Sequence, residues 1–176
     1  MERFVSDLTA GLKKIEPRVT DGSIMRIYRD IRFSKDKSPY KTGVSAHVRV
    51  GKAKDDATPA YYLHIQPKHS LIGAGTWRPA SPALAKIRDA IVADPKRWRR
   101  ATSAGELGGE SLQRPPRGYD PNHPLIDDIK RKDFTLGREL ADDEVLDANF
   151  LQSTLAAYRQ MTPVIDILAD AIGRAR

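Results

Sequence analysis

Three successive segments of the chain alternate between apolar and polar residues, and no helical segment separates them. They cover residues 24–33, 43–50 and 60–66. Alternation with a period of two is typical of a strand that is buried on one face. A fourth segment, 70–77, follows after a short connection of the length found in hairpins. Because parallel strands need long crossover connections, the sequence predicts an antiparallel sheet.

The remainder of the chain shows mainly helical periodicity. We predict an N-terminal helix at 2–16, a helical and loop region at 81–130, a strand at 134–140, and a C-terminal helix at 147–173. The last helix is expected to be kinked or broken near Pro163, since proline lacks the backbone N–H that a helix requires. Together with the sheet region at 24–77, this indicates one α+β domain over residues 1–176. Its sheet, of about four or five strands, carries helices on one face.

Composition excludes several kinds of function. The chain contains no cysteine, so disulfides, thiolate metal sites and a cysteine nucleophile are absent. The phosphate-binding loop, the nucleophile elbow and the paired-histidine zinc motif do not occur, and we expect neither a cofactor nor a metal. No targeting signal and no apolar stretch of membrane-spanning length are visible, which favours a cytoplasmic protein without a membrane partner. A net charge of +7 favours an anionic partner.

The densest charged segment is residues 26–41, with six positive and two negative side chains. Guanidinium and ammonium groups beside tyrosyl hydroxyls suit the recognition of phosphate or carboxylate. The candidate ligand-binding residues here are Arg26, Arg29, Arg32, Lys35, Lys37 and Lys41. The candidates for proton transfer are Asp30, Tyr28, Tyr40 and His64. The alternative interpretation is a solvated strand and hairpin loop.

A second basic segment adds Arg114, Arg117 and Tyr119 to the candidate ligand-binding residues. Neighbouring prolines restrict the backbone, so these arginines are held in place. We expect them to form the wall of a pocket near the basic face of the sheet. The alternative is a stiff connection that carries exposed arginines.

Arg29 interrupts the apolar side of its predicted strand. A guanidinium on a buried face is costly unless it is paired, so the partner is expected to be Asp36, Asp127 or a bound anion. A β-bulge that turns Arg29 outward is the alternative. If the anion site exists, Arg29, Arg32, Lys37 and Arg117 converge on one cavity beside Tyr40 and His64. A metal site formed by His47, His64 and Asp30 is a less favoured possibility on the polar face of the sheet.

The motifs also carry a family resemblance. The segment from Arg26 to Thr42, with Arg-x-Tyr-Arg-Asp-x-Arg-Phe-Ser-Lys-Asp-Lys, resembles the central motif of the domain of unknown function 2461 family. Residues 62–67, 73–77, 114–119 and 123–127 match its later motifs in order. The resemblance implies no catalytic residues, because the family has no assigned function. Its members resemble one another in a further N-terminal stretch, so we expect this chain to be either a short natural member or one whose start has been trimmed. Apolar surface left uncovered there predicts a homodimer, or a protein that is stabilised by restoring the upstream residues.

These observations lead to three functional hypotheses, and whether the protein is an enzyme stays open. The favoured one is a small anionic ligand, bearing phosphate or carboxylate, held in a basic pocket where an unknown reaction takes place. A non-catalytic protein-interaction module is the first alternative. Nucleic-acid binding through the basic sheet face is the second, and it is disfavoured because no nucleic-acid-binding motif is present.

Overall fold

The structure is a computed structural model that describes residues 1–29, 32, 37–51 and 58–173. In chain order its elements are α1 (Glu2–Ile15), β1 (Val19–Ile24), β2 (Val44–Val50), β3 (Ala60–Ile65), β4 (Ser70–Thr76), α2 (Ser81–Ala93), α3 (Pro95–Thr102), β5 (Glu106–Gly108), α4 (Ile126–Ile129), β6 (Phe134–Leu140), α5 (Asp142–Leu146) and α6 (Phe150–Gly173).

The strands form one antiparallel sheet in the order β1-β2-β3-β4-β6-β5. The predicted α+β class and antiparallel pairing are therefore confirmed. The sheet has six strands rather than four or five, because β5 adds a short edge strand beside β6. With only three residues, β5 is too short to show a periodic pattern in the sequence.

Helices cover one face of this sheet, as predicted. α6 packs on β4, α1 packs on β1, and α2 and α3 pack on α6. Every second residue of the central strands points into this layer, including the fully buried Val48, Leu63, Ile72 and Leu136. The helices contribute buried side chains from four elements: Leu8, Leu12, Ile87, Ile91, Trp98, Tyr158, Ile165 and Leu168. The core therefore lies between the helices and one face of the sheet.

The predicted start of the sheet at residue 24 is wrong. β1 covers Val19–Ile24 and ends where the predicted strand at 24–33 begins. The alternation after Ile24 instead belongs to an irregular two-stranded ribbon that extends beyond the sheet. Its apolar side chains lack helical cover, and Met25 and Ile27 are 40% and 42% exposed. Residues 30, 31 and 33 of the predicted strand lie outside the described residues.

We call this ribbon, consisting of residues 25–29 and 37–43, the arm. Two hydrogen bonds join its halves: Lys41 N–H donates to the carbonyl of Ile27 at 2.9 Å, and Arg29 N–H donates to the carbonyl of Pro39 at 3.0 Å. The arm thus continues the β1–β2 hairpin away from the helix layer.

The C-terminal helix runs through Pro163 without a break, so the broken alternative is wrong. It begins at Phe150 rather than at residue 147. The side chain of Asp147 accepts a hydrogen bond from the N–H of Asn149 and forms a turn ahead of the helix. The acidic residues Asp142, Asp143 and Glu144, which come before this turn, belong to the separate short helix α5. In the part of the chain that the structure describes, no helix has the length and apolar character needed to cross a bilayer.

Candidate functional site

The face of the sheet that points away from the helices carries a cluster of polar side chains. In β2 and β3 these residues alternate with the buried ones, and register brings them together, since Ser45 is the cross-strand partner of His64. We call Ser45, Tyr62, His64 and Gln66 the polar patch. All four are half-buried. Their proximity follows from strand period and register alone.

The polar patch is linked by three hydrogen bonds. The Tyr62 hydroxyl donates to Ser45 Oγ at 3.0 Å. Ser45 Oγ lies 2.8 Å from His64 Nδ1, and His64 Nε2 lies 3.2 Å from Gln66 Oε1. An amide oxygen can only accept, so Nε2 carries a proton, and in the neutral form of the ring Nδ1 accepts from Ser45. In that form Tyr62 donates to Ser45 and Ser45 donates to His64.

A second serine–histidine pair lies beside the polar patch. Ser23 Oγ is 3.0 Å from His47 Nε2, and the two residues are cross-strand partners in β1 and β2. Burial, followed by the positive charge of Arg49, lowers the pKa of His47. This histidine is therefore neutral at pH 7 and adds no positive charge to the face.

A shallow groove of about 840 Å³ continues the open face from the polar patch toward β5. One end of it is lined by Leu71, the cross-strand partner of His64. Its floor includes Gly137, which is paired with another glycine across the β4–β6 ladder and so leaves the surface free of side chains. Glu106, Glu139 and Arg138 line the groove, and the Arg138 guanidinium is paired with the carboxylate of Glu144 at 3.0 Å. Because Arg138 is already paired, the two glutamates favour an anionic group at the patch end rather than in the groove.

The arm carries four of the eight basic residues singled out in the sequence, Arg26, Arg29, Lys37 and Lys41, and Arg32 lies between its two halves along the chain. Arg26, Arg32, Lys37 and Lys41 are exposed, and Arg29 is half-buried with its guanidinium donating to Ser38 Oγ at 3.0 Å. This contact is with a neutral hydroxyl group on the opposite half of the arm. Asp30, Asp36 and Lys35, which the sequence analysis also named, lie outside the described residues.

Two tyrosines of the arm face each other. The rings of Tyr28 and Tyr40 have their centroids 5.4 Å apart, and the two side chains are 53% and 54% exposed. The arm begins beside the strand that carries Ser45, since the N–H of Met25 donates to the carbonyl of Ser45 at 2.8 Å. The backbone of the arm is therefore joined to a strand that contributes to the polar patch.

The second basic segment lies elsewhere. The Tyr119 hydroxyl donates to the carbonyl of Ala85 at 3.2 Å and to the carboxylate of Asp89 at 2.9 Å, which fixes its loop on α2. Arg114 and Arg117 are exposed on this loop. These contacts attach the loop to the helix layer, to which α2 belongs. Their convergence with the arm on one cavity stays a prediction.

The sequence analysis singled out His64 but missed Ser45, Tyr62 and Gln66. Tyr62 and Gln66 could have been found, because each is two residues from His64, the spacing that shares a strand face. Ser45 could not, since its position opposite His64 depends on the register of β2 against β3. For the metal alternative, His47 and His64 each bond to a neutral side chain, and no group of three metal-ligating residues occurs among the residues described.

The comparisons with known proteins concern the family alone. No curated protein and no solved structure is significantly similar to the chain. The sequence model of the family described as Conserved hypothetical protein (DUF2461) matches residues 1–166 of the 176. The chain therefore belongs to the domain of unknown function 2461 family.

Proposed function

We propose that the protein binds a small ligand bearing phosphate or carboxylate where the arm meets the polar patch. The supporting observation is the hydrogen bond from Met25 N–H to the Ser45 carbonyl, which attaches the arm to the strand that carries Ser45. We place the ligand between the exposed cations of the arm and the uncharged hydrogen-bonding side chains of the polar patch. Cations that neutralise an anion, beside polar groups that orient it, are the usual composition of an anion site.

The charges of the open face support one orientation of such a ligand. Glu106 and Glu139 line the groove beyond the polar patch, whereas the arm carries Arg26 and Lys41 at its exposed surface. The anionic group therefore belongs on the arm side, and the uncharged part of the ligand belongs over the groove.

Isothermal titration calorimetry at fixed salt tests this proposal with inorganic phosphate, citrate and adenosine monophosphate as probes. Replacing Arg26 and Lys41 by alanine together removes two arm cations. We expect an affinity loss of at least about 100-fold, because each of the two charge-assisted hydrogen bonds contributes about 1.5 kcal/mol or more. The matched control replaces Arg114 and Arg117, which removes the same charge from the loop on α2. Equal losses in the two double variants would contradict a site at the arm.

A protein-interaction module is the second candidate, and the exposed apolar side chains of the arm favour it. Met25, Ile27, Tyr28 and Tyr40 are all at least 40% exposed. Large apolar side chains grouped at a surface are typical of protein contacts. A surface used only for this purpose has no affinity for small anions. The absence of binding heat for all three probes at millimolar concentration would therefore favour this candidate over the first.

A further inference from the structure

We infer that Ser45 is a nucleophile, activated by His64, for the hydrolysis of a carboxylic ester that carries an anionic group. The inference has two parts. The reactivity of Ser45 follows from the geometry of the polar patch alone, whereas the anionic character of the substrate rests on the proposed function.

The hydrogen bonds of the polar patch favour a nucleophilic Ser45. A serine hydroxyl is a weak nucleophile unless an adjacent base can take its proton, and that base must itself be oriented by a third group. Ser45 Oγ lies 2.8 Å from His64 Nδ1, and Gln66 Oε1 lies 3.2 Å from Nε2. The contact with Gln66 fixes the tautomer in which Nδ1 has a free lone pair. The neutral form of His64 thus has the tautomer that a general base requires.

Tyr62 supplies a hydrogen-bond donor beside Ser45. Its hydroxyl donates to Ser45 Oγ at 3.0 Å, so it is the donor next to the oxygen that would attack. Negative charge develops on the substrate oxygen once Oγ bonds to the carbonyl carbon. A preorganised donor beside that position stabilises the charge. We therefore assign Tyr62 the role of stabilising this oxyanion.

The surface beside Ser45 and His64 leaves space for a substrate. Tyr62 has Gly73 as its cross-strand partner, and Gly73 in turn is paired with Gly137. His64 has Leu71 as its partner, where the groove of about 840 Å³ begins. A substrate can therefore lie flat on the open face beside Ser45. The uncharged half of the ester fits the groove, and the anionic half fits the arm.

The reaction proceeds in two balanced steps. Ser45 Oγ attacks the ester carbonyl carbon and passes its proton to His64 Nδ1, and the departing alcohol oxygen takes that proton as the C–O bond breaks. A water molecule then attacks the acyl group on Ser45 and gives one proton to Nδ1. His64 returns this proton to Oγ as the carboxylic acid leaves. The sum is ester plus water giving acid plus alcohol, with no further reactant.

A fluorophosphonate probe tests the nucleophile directly, because it forms a covalent bond to an activated serine. Intact-mass and peptide mass spectrometry of the full chain should show one adduct, at Ser45. Ser45→Ala should abolish it, and His64→Gln should slow it at least about 100-fold, the usual contribution of a general base. Ser23→Ala is the matched control, since Ser23 belongs to the neighbouring serine–histidine pair, and it should label at the wild-type rate. No adduct at Ser45, or an equal rate in His64→Gln, would overturn the inference.

Alkylation of a cysteine variant is a second test, which remains informative if Ser45→Ala folds poorly. The chain has no cysteine, so Ser45→Cys introduces the only thiol. Because thiolate is the reactive form, a histidine that accepts the proton accelerates alkylation by iodoacetamide. Alkylation of Ser45→Cys should be at least about tenfold faster than that of Ser45→Cys combined with His64→Gln. Equal rates in two folded variants would contradict the role of His64.

These outcomes are separate from those of the proposed function. The fluorophosphonate and iodoacetamide reagents carry no anionic group, so labelling does not depend on the arm. Labelling without anion binding in the calorimetric titration would support Ser45 as a nucleophile and contradict an anionic substrate. Anion binding without labelling would support the ligand site and contradict the nucleophile.

Discussion

Replacing Glu16 should destabilise the protein in a way that depends on pH. Glu16 is 3% exposed at the end of α1, and its carboxylate accepts from the N–H, Nε and Nη2 of Arg18 at 2.8–2.9 Å. The same guanidinium donates to Asp166 and, at 2.9 Å, to Asp170 on α6. Arg18 therefore ties the beginning of the sheet to both the first and the last helix.

The hydrogen bonds from Arg18 lower the pKa of Glu16 from its ordinary 4.5 to about 2. At about 1.4 kcal/mol per pH unit this corresponds to about 3 kcal/mol. The Arg18 side chain is 38% exposed, so solvent screening reduces the value by about half. Glu16→Gln should therefore lower the free energy of unfolding by about 1.5 kcal/mol at pH 7.

The pH dependence follows from the sign of the shift. A carboxylate whose folded-state pKa is depressed stabilises the fold above its unfolded value of about 4.5 and loses this stabilisation as pH falls through about 2. The difference between wild type and Glu16→Gln should therefore shrink between pH 4.5 and pH 2. Urea denaturation, followed by the fluorescence of the buried Trp98, measures it. An unchanged difference at the two ends of this range would refute the reasoning.

Asp166→Asn is the matched control for this prediction. Burial and the nearby carboxylates of Glu16 and Asp170 raise the pKa of Asp166. Its charged form is thus disfavoured in the folded protein, and asparagine should leave the free energy of unfolding at pH 7 unchanged or slightly higher. A loss as large as that of Glu16→Gln would show that any change in the cluster is destabilising.

Two further substitutions test the connection between β4 and β6. The carboxylate of Asp133, which is 1% exposed, accepts from the backbone N–H of Arg78 at 2.7 Å and of Glu110 at 3.0 Å. Asp133→Ala should therefore lower the free energy of unfolding by about 2–4 kcal/mol in a urea titration. A loss below about 0.5 kcal/mol would contradict this. Gly75 has a φ of +150°, and a Cβ built on it would lie 1.9 Å from a backbone carbonyl oxygen of β6. Gly75→Ala should therefore prevent folding, as judged by circular dichroism. Gly173→Ala is the control and should fold normally, because a Cβ there would lie in open space.

The sequence predicted β2, β3 and β4 nearly to the residue, because in these strands one side of the alternation meets the helix layer. The same pattern gave the wrong answer for the arm. Alternation indicates which residues share a face of a strand, but it does not indicate whether other parts of the protein pack on that face. Met25 and Ile27 are apolar and share a face, yet both are exposed. The short helix α5 was missed for a related reason, since none of its residues is buried.

The candidate site was predictable only in part. His64 stood out as a histidine on the polar face of a strand, and its position there is confirmed. Its bond to Ser45 depends on a partner nineteen residues earlier in the chain, across the connection between β2 and β3. Register of this kind is set by packing and turn geometry rather than by local pattern. Pairwise contacts between strands therefore lie beyond what periodicity alone can give.

The two faces of the sheet have a consequence for how such a protein can diverge. In β2, for example, Ala46 and Val48 face the core, whereas Ser45 and His47 face outward. A substitution at an outward position alters the surface chemistry without moving a buried side chain, and surface changes usually cost little stability. The open face can therefore acquire new ligands by stepwise mutation while the helices and their core packing stay as they are.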